Sequence, residues 1–444
     1  MPKKRIIVFL LFICSSIILA QGFYQNRWNL VPTAEYTQWR GGWESLVVGR
    51  LVKSNQDGIF SAGALLGIGD ITVQLDFGKK NIIHQYEIYK SGGEFKTFLE
   101  YKSFPGFQGI IFSVFDKITK FHPNTNIKIF RVSVALTSAM VLALFAIGLY
   151  FEFGWGAYIL AILFIVFSKW FILPGGNLYW NLWSFYLAPV LITFLLERNA
   201  RTRDYPVSKV HWILFTTTVI KILFSGFEFI TTQLIMTTVP FVYFAKRDNW
   251  GSRVFLRRVI WVCLILFIAV IVGLCVLMFQ ISAVEGGASG AIAYILKTLN
   301  HRMAGSPENF TGIYAESMKA NTLIVIWNYF NIPAMSIGFS NVKWTVTFLH
   351  LFTLFFVCTG IFIFSYEKHL SFDSMQKGKA LAIAVWYSIL APLSWLVLFK
   401  PHSYIHTFLN PIIWQMPFTI LGLTLLGFVL STFINQSRMK YKVY

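Results

Sequence analysis

The chain has 444 residues, 56% of them hydrophobic and 13% charged, with a mean hydropathy of +0.61. So few charged side chains cannot cover a soluble core of this size, which excludes a water-soluble globular protein and implies an all-α polytopic membrane protein. The formal net charge of +19 does not imply nucleic acid, because 18 of the 38 basic residues sit in short clusters at the ends of apolar stretches and 12 more are spread through one long loop; clusters of that kind suit anionic lipid headgroups.

A helix needs about 20 largely apolar residues to cross a bilayer, and that length with alternating orientation predicts about ten spans. They fall near 6–22, 129–150, 156–173, 179–197, 210–226, 229–245, 257–280, 343–365, 380–399 and 411–434. Basic clusters flank them at Lys3/Lys4/Arg5, Arg198/Arg201/Arg203/Lys209, Lys246/Arg247/Arg253/Arg257/Arg258, Lys368/Lys377/Lys379 and Arg438/Lys440/Lys442. Short cytoplasmic segments carry excess Lys and Arg, so these ends are expected inside. The sixth inside turn, Glu152 to Trp155, has no basic residue and is assigned by alternation. The organisation expected is residues 1–22 as a first span and signal-anchor, which also reads as a cleavable signal peptide, then an outer loop at 23–128 and spans two to seven at 129–280. A second outer loop at 281–342 and spans eight to ten at 343–444 follow, with an outer segment Lys400 to Pro411 and a basic inner tail. Phe227 and Glu228 join spans five and six as a tight hairpin or a pair of re-entrant half-helices. Cys14, Cys263, Cys275 and Cys358 all lie in apolar runs without CxxC spacing, which predicts neither disulfides nor a zinc site.

The first loop holds nine of the 19 carboxylates. Within it, Glu44 to Lys53 reads as a short amphipathic helix with Glu44, Arg50 and Lys53 on its polar side, Asn55 to Gly58 as a turn, Ile71 to Phe77 as a weak strand, and Phe107 to Phe121 as an amphipathic piece lying at the interface. Glu44 at the lipid boundary would be partly desolvated and a competent proton acceptor; it reads equally as a first-turn helix acid. Asp57 is a substitute for it, or a turn residue. Further along, Glu228 is an ionisable group among apolar spans, which is costly and usually functional, or else a snorkelling side chain. Lys169 and Lys221 are embedded and suit a lipid phosphate or an internal partner. Asn177 and Trp180, in the Gly175 to Asn181 turn, combine amide and aromatic groups of the kind that bind carbohydrate, although aromatics are common at membrane interfaces without any ligand. At the C-terminal outer segment, Lys400, His402 and His406 form a dense polar cluster: the His-x3-His spacing puts both rings on one helix face and suits a phosphate clamp better than a metal. Asn300, His301 and Arg302 are expected to join from the second loop.

Many spans, a long first outer loop with an acid soon after span one, and polar clusters at the outer boundary together resemble the GT-C superfamily of integral-membrane glycosyltransferases, and size and basic character are similar to bacterial O-antigen glucosyltransferases. The resemblance covers most of the chain and is topological. It implies a donor sugar on a polyprenyl phosphate, a glycan or lipid acceptor, membrane lipids as partners and an active site on the outer face of a bacterial inner membrane. Carried over to this chain, it implies Glu44 as the base for the acceptor hydroxyl, with Asp57 as substitute; beside it the residues themselves offer Glu228 as a further catalytic carboxylate and Lys400, His402, His406, Arg302, Arg50, Lys169, Asn177 and Trp180 as candidates to hold the lipid phosphate and sugar. Many members carry an Asp or paired acids directly after the first span, where this chain has Glu35 and Glu44. No cofactor is implied; a divalent metal is compatible but required by no residue. A lipid-linked polysaccharide polymerase or ligase, and a flippase or transporter of lipid-linked sugar, are the alternative readings.

Overall fold

The computed structural model describes residues 2–71, 79–200, 205–339, 342–366 and 370–441. In chain order the elements are α1 (Pro2–Gln25), α2 (Thr33–Asp57), β1 (Gly67–Gly69), α3 (Lys79–Ser91), β2 (Phe98–Glu100), α4 (Phe107–Thr119), α5 (Pro123–Phe153), α6 (Trp155–Phe167), α7 (Lys169–Gly175), α8 (Leu182–Ala200), α9 (Val207–Ser225), α10 (Ile230–Arg247) and α11 (Ser252–Ser282). There follow α12 (Ala288–Leu299), α13 (Ile313–Lys319), α14 (Thr322–Phe330), β3 (Pro333–Phe339), β4 (Val342–Thr347), α15 (Phe348–Ile361), α16 (Phe372–Ser388), α17 (Leu390–Leu398), α18 (Lys400–Ile405) and α19 (Phe418–Tyr441). This is an all-α membrane protein with two small antiparallel hairpins, β1 with β2 and β3 with β4. Six helices among the described residues are long and apolar enough to cross a membrane, or seven if the bent pair α6 and α7 is one span.

The core lies where α5, α8, α10, α16 and α19 pack on one another, with α6 against α19 and α9 against α8 and α11. Small residues let these helices approach without any hydrophobic drive between them. At the crossing of α6 and α19, a Cβ on Gly156 would lie 2.4 Å from the Gly427 carbonyl oxygen, so the two backbones touch. Opposite the loop-rich end, Arg247 of α10 meets Glu152 of α5 at 3.0 Å and Glu197 of α8 at 2.5 Å. The turn after Glu152, which lacks basic residues of its own, therefore lies at the same end as the basic cluster around Lys246 and Arg247.

Several elements differ from their sequence expectation. The short amphipathic helix expected at Glu44 to Lys53 is the second half of the longer α2, and it is buried rather than lying at a surface: Glu44 and Arg50 both find partners inside, so their polarity did not mean contact with water. The expected turn at Asn55 to Gly58 is helical as far as Asp57 and ends at Gly58, whose φ is +98°. Of the strand expected at Ile71 to Phe77, residues 72–77 lie outside the described residues, and β1 forms just before it. The piece at Phe107 to Phe121 is α4. Span three is bent by 67° between Phe167 and Lys169, where the Ser168 hydroxyl donates to the Ala334 carbonyl instead of staying within the helix. Span four begins at Leu182 because Asn181 takes a left-handed conformation. Span eight begins only at Phe348, since the alternating, β-branched run from Val342 to Thr347 pairs with Pro333–Phe339 and Thr347 then caps α15 in a capping box with His350.

At the junction of α9 and α10 the chain turns within Gly226 to Phe229. Both helices pack against α8, and the buried Lys221 ammonium ties the turn by donating to the carbonyls of Gly226 at 2.7 Å and Glu228 at 2.6 Å. Gly226 has φ +59° and ψ −149°, and a Cβ there would lie 2.0 Å from the Phe104 Cβ. We predict that Gly226→Ala lowers the melting temperature of the purified protein by the equivalent of about 1–3 kcal/mol, whereas Gly251→Ala, with open space around it, leaves it unchanged; equal melting curves for both variants would contradict this geometry.

Candidate functional site

The turn between α9 and α10 presents Glu228 into the loop-rich end of the bundle. Phe229, next to it, is held at φ +54°, a conformation that a bulky side chain adopts only when its surroundings impose it. Here they do: the Phe229 ring packs between Trp180 at 5.8 Å and Trp395 at 5.1 Å. From the second loop, α12 runs into a π-helical turn at Asn300–Ala304, an irregularity that often marks functional sites, and this turn packs against α18. It delivers Arg302, whose Nη1 lies 2.8 Å from Glu228 Oε1 and whose Nη2 donates to Ser103 Oγ at 3.2 Å. From α18 and the residue after it come His402 and His406, with ring centroids 4.3 Å apart; His402 Nε2 is 3.9 Å from Glu228 Oε2. Two residues singled out from distant parts of the sequence, Arg302 and His402, thus converge on Glu228.

Burial opposes ionisation of Glu228, but Arg302, assisted by the imidazoles, outweighs it and brings the carboxyl down to about 2. For His402 burial outweighs the opposing pull of Glu228 and, with Arg302 nearby, pushes the ring down to about 3; the same causes lower His406. At neutral pH the cluster therefore holds one carboxylate, one guanidinium and two neutral rings. Its hydrogen bonding is incomplete: Glu228 Oε2 and the Nδ1 atoms of His402 and His406 are buried with no partner among the described residues, as are the indole N–H groups of Trp180 and Trp395. Buried polar atoms are satisfied in the great majority of cases, so a concentration of unsatisfied ones around a charged centre marks a place where a polar ligand completes the set. Among the described residues no group of three or more His, Cys, Asp or Glu is arranged for a metal ion.

Glu44 forms a second buried centre. It is fully buried and accepts from Arg131 Nη2 at 2.5 Å, Arg131 Nε at 2.9 Å, Tyr86 Oη at 3.1 Å and the Leu178 N–H at 3.3 Å, with Arg40 Nε at 3.9 Å. Every face of this carboxylate is in use, and removing one partner of such a pair costs about 3–5 kcal/mol. The two centres are joined by the Gly175 to Asn181 turn. Beyond the Leu178 N–H, the Tyr179 ring packs on Trp43 at 5.0 Å and Phe104 at 4.9 Å, its hydroxyl meets that of Tyr101 at 3.1 Å, and Trp180 leads on to Phe229.

The remaining expected residues are placed as follows. Asn177 accepts from the Tyr179 N–H at 2.9 Å and donates to the Arg40 carbonyl at 3.4 Å, which holds the turn. Arg50 is fully buried and donates to Ser54 Oγ at 2.9 Å, to Ser61 Oγ at 2.7 Å and to the carbonyls of Ser61 and Gly58, so it fastens the loop that follows α2. Lys169 pairs with Glu35 at 3.3 Å and lies over Trp170. Asp57 pairs with Lys53 one helical turn earlier. Lys400 donates to the Met318 carbonyl at 2.8 Å, beside the cluster rather than in it. Sequence reasoning missed Arg131, Tyr86, Tyr101 and Ser103. Of these only Arg131 carried a signal, a charge that follows Lys128 near the start of a long apolar helix. No protein-family model, curated protein or solved structure matches the chain.

An imidazole in the unfolded chain takes up its proton near pH 6.5, whereas folded His402 does so near 3. Between those values the unfolded chain binds more protons, so stability falls as pH drops, by about 1.4 kcal/mol per unit once well below 6.5. Glu228 adds nothing until pH falls below the ordinary carboxylate range near 4.5. We predict that the melting temperature declines from pH 7 to pH 5 and that His402→Phe makes this decline shallower; a slope unchanged by the substitution would contradict a neutral, buried His402.

Proposed function

We propose that the protein is a membrane glycosyltransferase that moves a sugar from a polyprenyl-phosphate donor to a glycan or lipid acceptor, at the outer face of a bacterial inner membrane. The observation that carries this reading is the Glu228, Arg302, His402 and His406 cluster. It sets a guanidinium beside a carboxylate oxygen, imidazole nitrogens and indole nitrogens that have no hydrogen-bond partner among the described residues, all among aromatic rings at the loop-rich end. A lipid-linked sugar phosphate presents an anion, a set of hydroxyls and an apolar ring face, and this lining matches each: Arg302 for the phosphate, the nitrogens for the hydroxyls and Trp180 or Trp395 for the ring. The topology that goes with the reading has ten spans, with α8 and α10 counted as spans despite their polar residues and α15 as a short one. The end carrying Arg198, Lys246 and Arg247 then faces the cytoplasm.

In the reaction, the acceptor oxygen attacks the anomeric carbon, the bond from that carbon to the phosphate oxygen breaks, and polyprenyl phosphate departs with one more negative charge. Arg302 neutralises that charge as it develops. The acceptor proton passes to Glu228 Oε2. In the resting site Arg302 keeps Glu228 a weak base; once the guanidinium engages the donor phosphate its hold on the carboxylate weakens and Glu228 gains basicity. Donor binding thereby arms the base. Glu44, enclosed by Arg131 and Tyr86, serves in this reading to hold the Gly175 to Asn181 turn under the sugar site.

The test is turnover of a synthetic polyprenyl-phosphate hexose by purified protein in nanodiscs. Glu228→Gln is expected to lower kcat by about 10²–10⁴-fold with donor binding retained, Arg302→Met to raise the KM for donor, and Glu44→Gln to act mainly on stability. Turnover lost in Glu44→Gln but kept in Glu228→Gln would move the base to Glu44. Substrate movement across a liposome with no turnover would replace the enzyme by a transporter.

A further inference from the structure

An apolar cavity of 340 Å³ lies away from the Glu228 cluster, in the half of the bundle nearer the basic end, between α5, α8, α10, α16 and α19. Its position has a cause in the sequence. Pro189 inside α8 and Pro240 inside α10 both line it, and a proline inside a helix removes a backbone hydrogen bond and displaces the turn before it, so two of the surrounding walls are displaced from close packing at this level. Packed interiors leave few gaps larger than a water molecule, and this one is many times that size. Its walls are almost wholly apolar, among them Leu149, Met236 and Leu421, which disfavours water as the filling.

We propose that this cavity is a binding site for one acyl chain of a glycerophospholipid drawn from the leaflet at the basic end. Two observations select that occupant. First, along α8 the lining runs from Tyr186 to Arg198; twelve residues at 1.5 Å rise give roughly 18 Å, about the depth of one leaflet of a ~30 Å hydrocarbon core. A polyprenyl chain is branched and much longer than this slot. Second, the charged residues of the lining collect at its far end: Glu152 and Glu197, clasped by Arg247, and beside them Arg198, which is exposed and makes no ion pair among the described residues. Arg198 is thus available to a headgroup phosphate when the chain is inserted. The bound chain fills the space that the prolines create and so completes the packing of the bundle. This site is independent of the chemistry proposed at Glu228.

The experiment uses the full chain in nanodiscs containing a phosphatidylethanolamine that carries a diazirine near the end of one acyl chain, with labelled peptides mapped by mass spectrometry after irradiation. Labelling is expected on Leu149, Met236 or Leu421, together with the lipid-facing Phe267 as an internal control. Ala384→Phe on α16 and, separately, Val239→Phe on α10 place a ring in the slot; each is expected to cut the interior labelling at least tenfold while labelling at Phe267 and the melting curve are unchanged. Using two variants keeps the test decisive if one fails to fold. Labelling confined to lipid-facing positions in the unmodified protein, interior labelling that survives both substitutions, or interior labelling obtained with a photoreactive polyprenyl phosphate in preference to the phospholipid would each overturn the proposal.

Discussion

A charged group inside an apolar bundle must be matched by another, and the loop-rich end of this protein is organised around one such match, Glu228 with Arg302. The acid comes from a turn of four residues between two helices, and the arginine from a π-helical turn 74 positions later in the chain. Neither could remain buried without the other, because a lone charge there would carry its full desolvation cost. That requirement draws the second loop onto the helix bundle, and α18 follows because it packs on the same π turn. The imidazoles of His402 and His406 are then in place, and burial keeps them neutral.

The same logic is repeated a short distance away. Glu44 and Arg131 fasten the first loop to α5, and the Leu178 N–H on Glu44 fixes the turn whose next residues, Tyr179 and Trp180, form one wall of the Glu228 site. Lys221 ties the α9 to α10 turn from below through two carbonyls. The contrast between the two carboxylates is chemical as well as positional: Glu44 is saturated by donors, whereas Glu228 has an oxygen without one among the described residues. A saturated carboxylate holds structure together, while an incompletely bonded one beside neutral rings is equipped to exchange a proton.

How far this was legible in the sequence depended on the range of the signal. Apolar length alone located α1, α5, α9, α11 and α19, since a membrane span is a local property of about 20 residues. It misplaced the starts of α8 and α15, because hydropathy does not distinguish a left-handed asparagine or a β-hairpin from the first turn of a helix. It also read only the second half of α2, as a short amphipathic helix: the spacing of polar and apolar residues says which face is polar, and cannot say that Glu44 and Arg50 find their partners inside. At the site, Glu228, His402 and His406 were conspicuous as polar residues near the ends of apolar runs and Arg302 as a residue expected to join them from the second loop, and the structure brings Arg302 and His402 onto Glu228. Arg131 was not seen. Its partner lies 87 residues earlier, and one arginine in a 31-residue apolar helix scarcely changes its hydropathy.

The most direct measurement is a cryo-electron microscopy map of the protein with a non-cleavable polyprenyl phosphonate analogue of the sugar donor. The account predicts the phosphonate within hydrogen-bonding distance of Arg302 and the sugar ring against Trp180 or Trp395, with its anomeric carbon facing the open oxygen of Glu228. Analogue density elsewhere, with Arg302 and Glu228 still paired to each other and nothing between the imidazoles and the indoles, would contradict it.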